Sequence, residues 1–199
     1  MSDKIFKEIY KKIIGRLEAE LPATLAYHNA QHTEYVVDKA HMLAIHENIT
    51  GRELELVKIA ALYHDTGFLL DHLEHENLGC QIVSQDLEEL LNPEELEKVC
   101  GMITATKIPQ RPQNLMEMIV ADADLFYMGT SNYKKFSQRL YLEMKHFNPS
   151  IGDEKWLEIQ LNFLATHNYH TTYGKNMLEP QKQKVLTSLQ KEKTKTGKM

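Results

Sequence analysis

Two histidines and two aspartates of this sequence lie where a side chain is expected to point into a protein core. His32 begins one helical stripe of apolar residues, His64 ends another, and Asp65 directly follows His64. Asp124 lies within the apolar run IVADADLFYM. The apolar members of the stripes are Val36, Ala40 and Leu43 in the first and Leu54, Val57 and Ala61 in the second. A buried, unpaired carboxylate costs several kcal/mol, so these aspartates are expected to be paired or to bind a metal ion.

Imidazole and carboxylate groups together are suitable ligands for a divalent metal ion. A single inward histidine is more often an ordinary core residue than a ligand. Here two histidines and two carboxylates lie on three helices. From the residues alone, a metal site and a set of ordinary core residues are equally supported. Asp122 competes with Asp124 for the last position, because it lies two residues away in the same apolar run. On a helix their side chains point about 200° apart, so only one of them can face the metal.

Three sequence blocks carry these residues: YHNAQHTEYVV, AALYHDTGF and IVADADLFYMG, which together run from Tyr27 to Gly129. In order and separation they resemble the successive signatures of the HD superfamily of metal-dependent phosphohydrolases. The dipeptide His-Asp carries no information alone, but the three blocks together are specific. The resemblance implies an all-α metal site, usually with phosphomonoesterase or phosphodiesterase activity.

The resemblance also assigns metal ligands residue by residue. His32, His64, Asp65 and Asp124 take the ligand positions, and the Ala-Asp-Leu context favours Asp124 over Asp122. Asp65 is further expected to orient or deprotonate the attacking water. The implied cofactor is a divalent metal ion, for which Mn, Mg, Zn, Fe, Co and Ni are all candidates.

The first block also resembles the YHNxxH motif of cyclic-nucleotide phosphodiesterases, in which the first histidine donates a proton. This resemblance implies that His28 is a general acid. The alternative is that His28 only leads into the helix, with Asn29 as its N-cap. The rest of the chain departs from that class, because 199 residues are too few for its long catalytic domain and ADADLF replaces its ADLSNP motif. We therefore infer that this protein shares the reaction chemistry of that class but not its substrate.

Several other polar residues near these blocks have two interpretations each. His75 and Glu76, soon after the HD pair, could hold a second metal through water or lie in an exposed loop. The region before the last block reads MITATKIP and has no histidine, which counts against a di-iron oxygenase. Lys107, in the proline-containing loop KIPQRPQN, is a candidate phosphate contact. His167 and His170 could form a metal pair but are expected to be pocket-wall or surface residues.

Helical periodicity runs through nearly the whole chain and predicts an all-α, single-domain fold. The resemblance implies that this fold is a bundle of the HD type over residues 1–190, with its motif core at residues 27–129. Thr50 and Glu53 are predicted to form a capping box, and Gly67 is expected to end the helix that carries the HD pair. The tail from Lys191, KEKTKTGKM, has nothing to bury and is predicted to be disordered.

Composition predicts a cytoplasmic protein. The net charge of −5 argues against a surface that coats nucleic acid. No segment approaches the roughly 18 consecutive apolar residues of a membrane span, so no membrane partner is expected. Cys80 and Cys100 lack a CxxC spacing and indicate a reducing compartment. The sequence does not specify an oligomeric state.

Taken together, these features predict metal-dependent hydrolysis of a phosphate mono- or diester. The expected partner is a small phosphorylated substrate, such as a nucleotide or another metabolite. Two alternatives stay open: a catalytically weak HD module that binds a nucleotide or a partner, and a di-iron oxygenase.

Overall fold

Helices and short helical turns make up all of the regular secondary structure in the computed structural model, which describes residues 3–196. This confirms the all-α prediction. Two 3-10 turns, Thr66–Leu69 and Phe126–Gly129, and a π-helical turn, Gly174–Leu178, connect the longer helices. The helices are α1 (Asp3–Glu20), α2 (Ala30–His46), α3 (Gly51–Tyr63), α4 (His75–Leu87), α5 (Pro93–Thr104), α6 (Leu115–Asp124), α7 (Tyr133–Phe147), α8 (Asp153–Thr166) and α9 (Glu179–Thr196).

Asparagine side chains start three of these helices. Asn29 accepts a hydrogen bond from the His32 amide at 3.2 Å at the start of α2, and Asn114 accepts one from the Glu117 amide at 3.1 Å at the start of α6. Asn92 begins α5 with a complete capping box. A capping side chain satisfies an amide that has no partner within the helix, which fixes where the helix begins. Both α2 and α6 carry candidate metal ligands. By fixing where each helix begins, the caps also fix where those ligands lie along the helices.

The start and the end of α3 differ from the sequence prediction. The Thr50 side chain makes no capping hydrogen bond. Gly51, the first residue of α3, has a φ of 60°, so the first turn departs from the regular geometry that a capping box requires. At the other end, α3 stops at Tyr63, before the HD pair. Gly67 therefore does not end the helix; it lies in the following 3-10 turn, where a Cβ atom would overlap the backbone of His75.

Among the described residues, the interior contains three apolar clusters, of which the smallest is formed by Tyr141, Ile151 and Trp156. The largest is formed by α1 to α6, with α2 packed against both α3 and α6. The second is rich in aromatic side chains and joins Tyr27 and the 126–129 turn to α7, α8 and α9 through Tyr127, Phe136, Leu164 and Leu186. Tyr27 of the second cluster lies against the candidate ligand His32, with ring centroids 4.5 Å apart.

The C-terminal segment is more helical than its composition predicted. α9 continues to Thr196, so Lys191 to Thr196 are helical where disorder was expected. Helix extension adds one backbone hydrogen bond per residue once a helix has formed, so a polar segment can continue a docked helix without burying anything. The remainder of the predicted disordered tail, residues 197–199, lies outside the described residues. Within residues 3–196, no helix is long and apolar enough to cross a membrane.

Candidate metal centre and its cavity

The ends of three helices bring the candidate ligands together. His32 lies in the first turn of α2, His64 and Asp65 directly follow α3, and Asp124 is the last residue of α6. Because α2 packs against both α3 and α6, these three ends converge on one point. The two histidines are each 1% exposed, as their positions on apolar stripes predicted.

The distances between the side-chain atoms suit a bound metal ion. His32 Nε2 lies 3.1 Å from Asp124 Oδ1 and 3.4 Å from His64 Nε2. One ligand atom from each of His32, His64 and Asp124 lies within 4.8 Å of the others. Ligands about 2.0–2.2 Å from one tetrahedral ion are separated from each other by roughly 3–3.5 Å. Two of the three distances fall in this range, and the third, from His64 Nε2 to Asp124 Oδ1, is 3.8 Å, so the three atoms lie close enough together to share an ion.

Asp65 lies beside this cluster. Its Oδ2 atom is 3.1 Å from His64 Nε2 and 3.4 Å from His32 Nε2. Oδ2 is also a buried polar atom without a hydrogen-bond partner among the described residues. A buried carboxylate oxygen left in this state is costly unless a cation compensates for it. The environment of Asp65 therefore fits a divalent metal ion.

Hydrogen bonding and charge prepare His64 to face a cation. Its Nδ1 donates to the carbonyl oxygen of Ala61 at 2.8 Å, so Nε2 is the ring nitrogen that points into the cluster. Burial lowers the pKa of His64, but Asp65 and Asp124 outweigh that effect and raise the pKa to about 9. The two carboxylates therefore favour a positive charge at the position of His64, such as that of a bound cation.

Asp122 has a separate structural function. Its Oδ1 accepts from the backbone amide of His170 at 2.9 Å, and its Oδ2 accepts from the amide and the hydroxyl of Thr171 at 2.9 and 2.6 Å. These bonds fasten α6 to the segment between α8 and α9. The structure thus brings Asp124 to the histidines and turns Asp122 to the opposite side of α6.

We expect Asp122→Asn to destabilise the fold and to leave metal binding intact. The amide has one oxygen for three donors, so at least one buried donor loses its acceptor, at a cost of about 1–3 kcal/mol. Thermal unfolding should show a Tm lower by several degrees, and metal analysis should give the wild-type content. Asp124→Asn is the matched comparison and should weaken metal binding. Loss of metal from Asp122→Asn alone would reverse the assignment of these two residues.

His28 pairs with a carboxylate that sequence reasoning missed. Its Nδ1 atom is hydrogen-bonded to Oε1 of Glu143, and Oε2 of Glu143 accepts from the amides of Tyr27 and His28 at 2.8 and 3.0 Å. Burial lowers the pKa of His28, but the bond to Glu143 and the charge of Asp65 outweigh it and raise the pKa above 6.5. The His28 ring also stacks on Phe68, with ring centroids 4.4 Å apart. His28 is thus held by specific contacts, and Asn29 caps α2 as the alternative interpretation requires, so the proton-donor role of His28 stays a prediction.

The sequence contained a signal for Glu143. In α7, Tyr133, Phe136 and Leu140 recur at helical spacing on one face, and Glu143 continues that stripe. It is 2% exposed. A carboxylate on an apolar stripe is the same feature that singled out Asp124, and it was overlooked because α7 lies outside the three motif blocks.

The metal cluster opens into a cavity of about 490 Å³. His28, Asp65, Asp124 and Lys107 all line it. Lys107 lies at the edge, with its side chain 49% exposed and its Nζ 3.6 Å from Glu74 Oε2. The remaining wall is mainly apolar and comes from the 125–128 segment, α7 and α8.

His75 and Glu76 also line the cavity, at the start of α4. His75 Nε2 is 3.5 Å from Glu76 Oε1 and 3.9 Å from Asp65 Oδ1. The exposed-loop interpretation is therefore wrong for Glu76, which is 5% exposed. His167 and His170 are not among the cavity-lining residues in the described part of the chain; the amide of His170 binds Asp122, and His167 contacts Lys182.

Comparison with known proteins gives one match. The family model HD domain matches residues 29–129. None of the curated proteins or solved structures compared with the chain matches it. The matched segment contains all four candidate ligands and begins one residue after His28, so it does not bear on the YHNxxH resemblance. The chain belongs to the HD superfamily of metal-dependent phosphohydrolases.

Proposed function

We propose that this protein hydrolyses a phosphate mono- or diester of a small molecule, such as a nucleotide, with a divalent metal ion held by His32, His64, Asp65 and Asp124. The observation that carries the proposal is the convergence of two kinds of group on one cavity. Asp65 and Asp124, which lie against His32 and His64, line this cavity, and so does a histidine paired with a buried carboxylate. The first suits an electrophile and the second suits a proton donor.

A divalent ion in this cluster would neutralise phosphoryl oxygens and lower the pKa of water. Asp65 is the residue best situated to orient that water and to take its proton. Its Oδ2 has no hydrogen-bond partner among the described residues, and its carboxylate lines the cavity. Attack on phosphorus then forms the new P–O bond as the bond to the ester oxygen breaks.

His28 is proposed to protonate the departing ester oxygen. With Nδ1 bonded to Glu143, its Nε2 is the ring nitrogen available to the cavity. A protonated imidazole there gives its proton to the alkoxide that leaves phosphorus, and the Glu143 carboxylate stabilises the charged ring before transfer. The raised pKa keeps this group in its acid form to a higher pH than an unperturbed histidine would allow.

Lys107 is proposed to contact the phosphate. Of the described residues that line the cavity, it is the one lysine or arginine, while Asp65, Glu76 and Asp124 are acidic. A triphosphate carries several negative charges and would need more cations than this site supplies. The charge balance therefore favours a substrate with one phosphate group.

Metal removal and restoration test the proposed function. We expect the purified protein to release nitrophenol from 4-nitrophenyl phosphate or bis(4-nitrophenyl) phosphate, and chelation to abolish this activity. Adding back Mn, Mg, Zn, Fe, Co or Ni one at a time should restore it with at least one ion. Full activity in the metal-free protein would refute the proposal. Metal binding without hydrolysis of a panel of phosphate esters would support a binding module instead, and iron-dependent oxygen uptake would support an oxygenase.

A further inference from the structure

The cavity extends beyond the candidate ligands into a region that the proposed chemistry does not use. This region, here called the distal arm, lies between α7 and α8 and is lined by Leu140, Met144, Trp156, Ile159 and Phe163. None of these side chains carries a charge. An arm of this composition favours an apolar or aromatic group and disfavours ions and polyols, because their hydration would be lost without replacement.

One polar side chain, Gln160, also lines the cavity on α8. Its Oε1 accepts hydrogen bonds from the Tyr133 hydroxyl at 2.7 Å and the Ser137 hydroxyl at 2.6 Å. Its Nε2 has no hydrogen-bond partner among the described residues. Two donors on α7 therefore fix the amide, and the two N–H bonds of Nε2 are left to face a ligand.

A fixed donor in an apolar arm restricts the ligands that fit. An alkyl chain would match the apolar wall but would cover Nε2 without bonding to it, which costs the desolvation of that group. A sugar would bond to Nε2 but would leave its other hydroxyl groups against apolar side chains. A heteroaromatic ring has apolar faces and a hydrogen-bond acceptor in its plane, so it satisfies both features at once.

We propose that the ester group of the substrate carries a heteroaromatic ring that occupies the distal arm, and that Gln160 determines specificity by donating a hydrogen bond to an acceptor on that ring. The inference rests on the proposed function for the phosphate end of the ligand, which would reach the metal ligands. The part of the inference that concerns the ring is argued from the apolar residues of the distal arm and from the hydrogen bonds that hold Gln160.

Trp156 provides a binding signal that does not depend on turnover. It is the single tryptophan of the chain, and it lines the distal arm. Ligands can therefore be compared by quenching of tryptophan fluorescence in the metal-loaded protein, read in the first milliseconds after mixing. The probes are adenosine 5′-monophosphate, which carries a heteroaromatic ring, ribose 5-phosphate, which lacks it, and octyl phosphate, which replaces it with an alkyl chain.

We expect adenosine 5′-monophosphate to bind at least about tenfold more tightly than either other probe. Gln160→Met keeps the length and neutrality of the side chain but removes the donor, so it should weaken adenosine 5′-monophosphate binding about tenfold and leave ribose 5-phosphate unchanged. Gln190→Met, at an exposed position of α9, is the matched control and should change neither affinity.

The inference is overturned if ribose 5-phosphate or octyl phosphate binds as tightly as adenosine 5′-monophosphate, or if Gln160→Met weakens all probes equally. Phosphate release, measured in parallel, distinguishes failure of this inference from failure of the proposed function. Selective binding without phosphate release would keep the ring site and reject the hydrolase. Release from all three esters without discrimination would keep the hydrolase and reject the ring site.

Discussion

His64→Ala should leave the protein without its metal ion and should lower the rate of phosphate ester hydrolysis by roughly 10³-fold or more. The His64 side chain is 1% exposed, and its Nε2 lies 3.1 Å from Asp65 Oδ2 and 3.4 Å from His32 Nε2, so the substitution removes a ligand atom from the centre of the cluster. Metal ions contribute several kcal/mol to transition-state stabilisation, and each 1.4 kcal/mol corresponds to about a factor of ten in rate.

Metal content, rate and Tm should be measured together for this variant. Without the ion, Asp65 and Asp124 keep their negative charges in a site that has lost one histidine, so the metal-free variant should also be less stable at neutral pH. His41→Ala, at an exposed position of α2, is the matched control and should retain metal, rate and Tm. A His64→Ala protein that keeps a full complement of metal would show that the ion binds elsewhere.

His28→Asn should retain metal and still lose about 10²–10⁴-fold of its rate on a sugar phosphate or a nucleoside phosphate. These esters leave as basic alkoxides that need a proton. 4-Nitrophenyl phosphate leaves as a stable anion, so its hydrolysis should fall far less. Equal losses on both classes of ester would mean that His28 positions the substrate or supports the fold.

Glu143→Gln tests the same proton donor through its pH dependence. The Glu143 carboxylate raises the pKa of His28, so the wild-type protein keeps the acid form of His28 to a higher pH. Replacing the carboxylate with an amide lowers that pKa, and the alkaline limb of the kcat/KM profile should move to lower pH. The profile for 4-nitrophenyl phosphate should move much less. An unchanged alkaline limb on nucleoside phosphates would remove His28 as the acid.

Local sequence pattern was sufficient for the features that depend on neighbours along the chain. Apolar residues at helical spacing predicted the all-α fold and the inward direction of His32 and His64, and both side chains are buried. Asn29 entered the sequence analysis as an N-cap only in the alternative interpretation of His28, and it does cap α2. Each of these features is set by residues within one helix or at its ends, where periodicity and capping rules apply directly.

Contacts between distant segments were not predictable in the same way. Glu143 lies 115 residues from His28, and nothing in either local pattern links the two. The Ala-Asp-Leu context favoured Asp124 over Asp122, but the partners of Asp122, Thr171 and His170, lie outside all three motif blocks and were not predicted. Such pairings follow from tertiary packing, which a single sequence does not display without covariation.

The separation between His28 and Glu143 also has a consequence for the protein during its synthesis. The four candidate ligands have all been translated once Asp124 is added, but Glu143 comes 115 residues after His28. The delay from Asp124 to Glu143 is 19 residues, or roughly 1–4 s on the ribosome at about 5–20 residues per second. The amide and hydroxyl of Thr171 that hold α6 come later still, 49 residues after Asp122. A nascent or prematurely terminated chain would thus carry the ligands of an ion before the proton donor is anchored, so the full rate on esters with basic leaving groups would be reached only after α7 has docked.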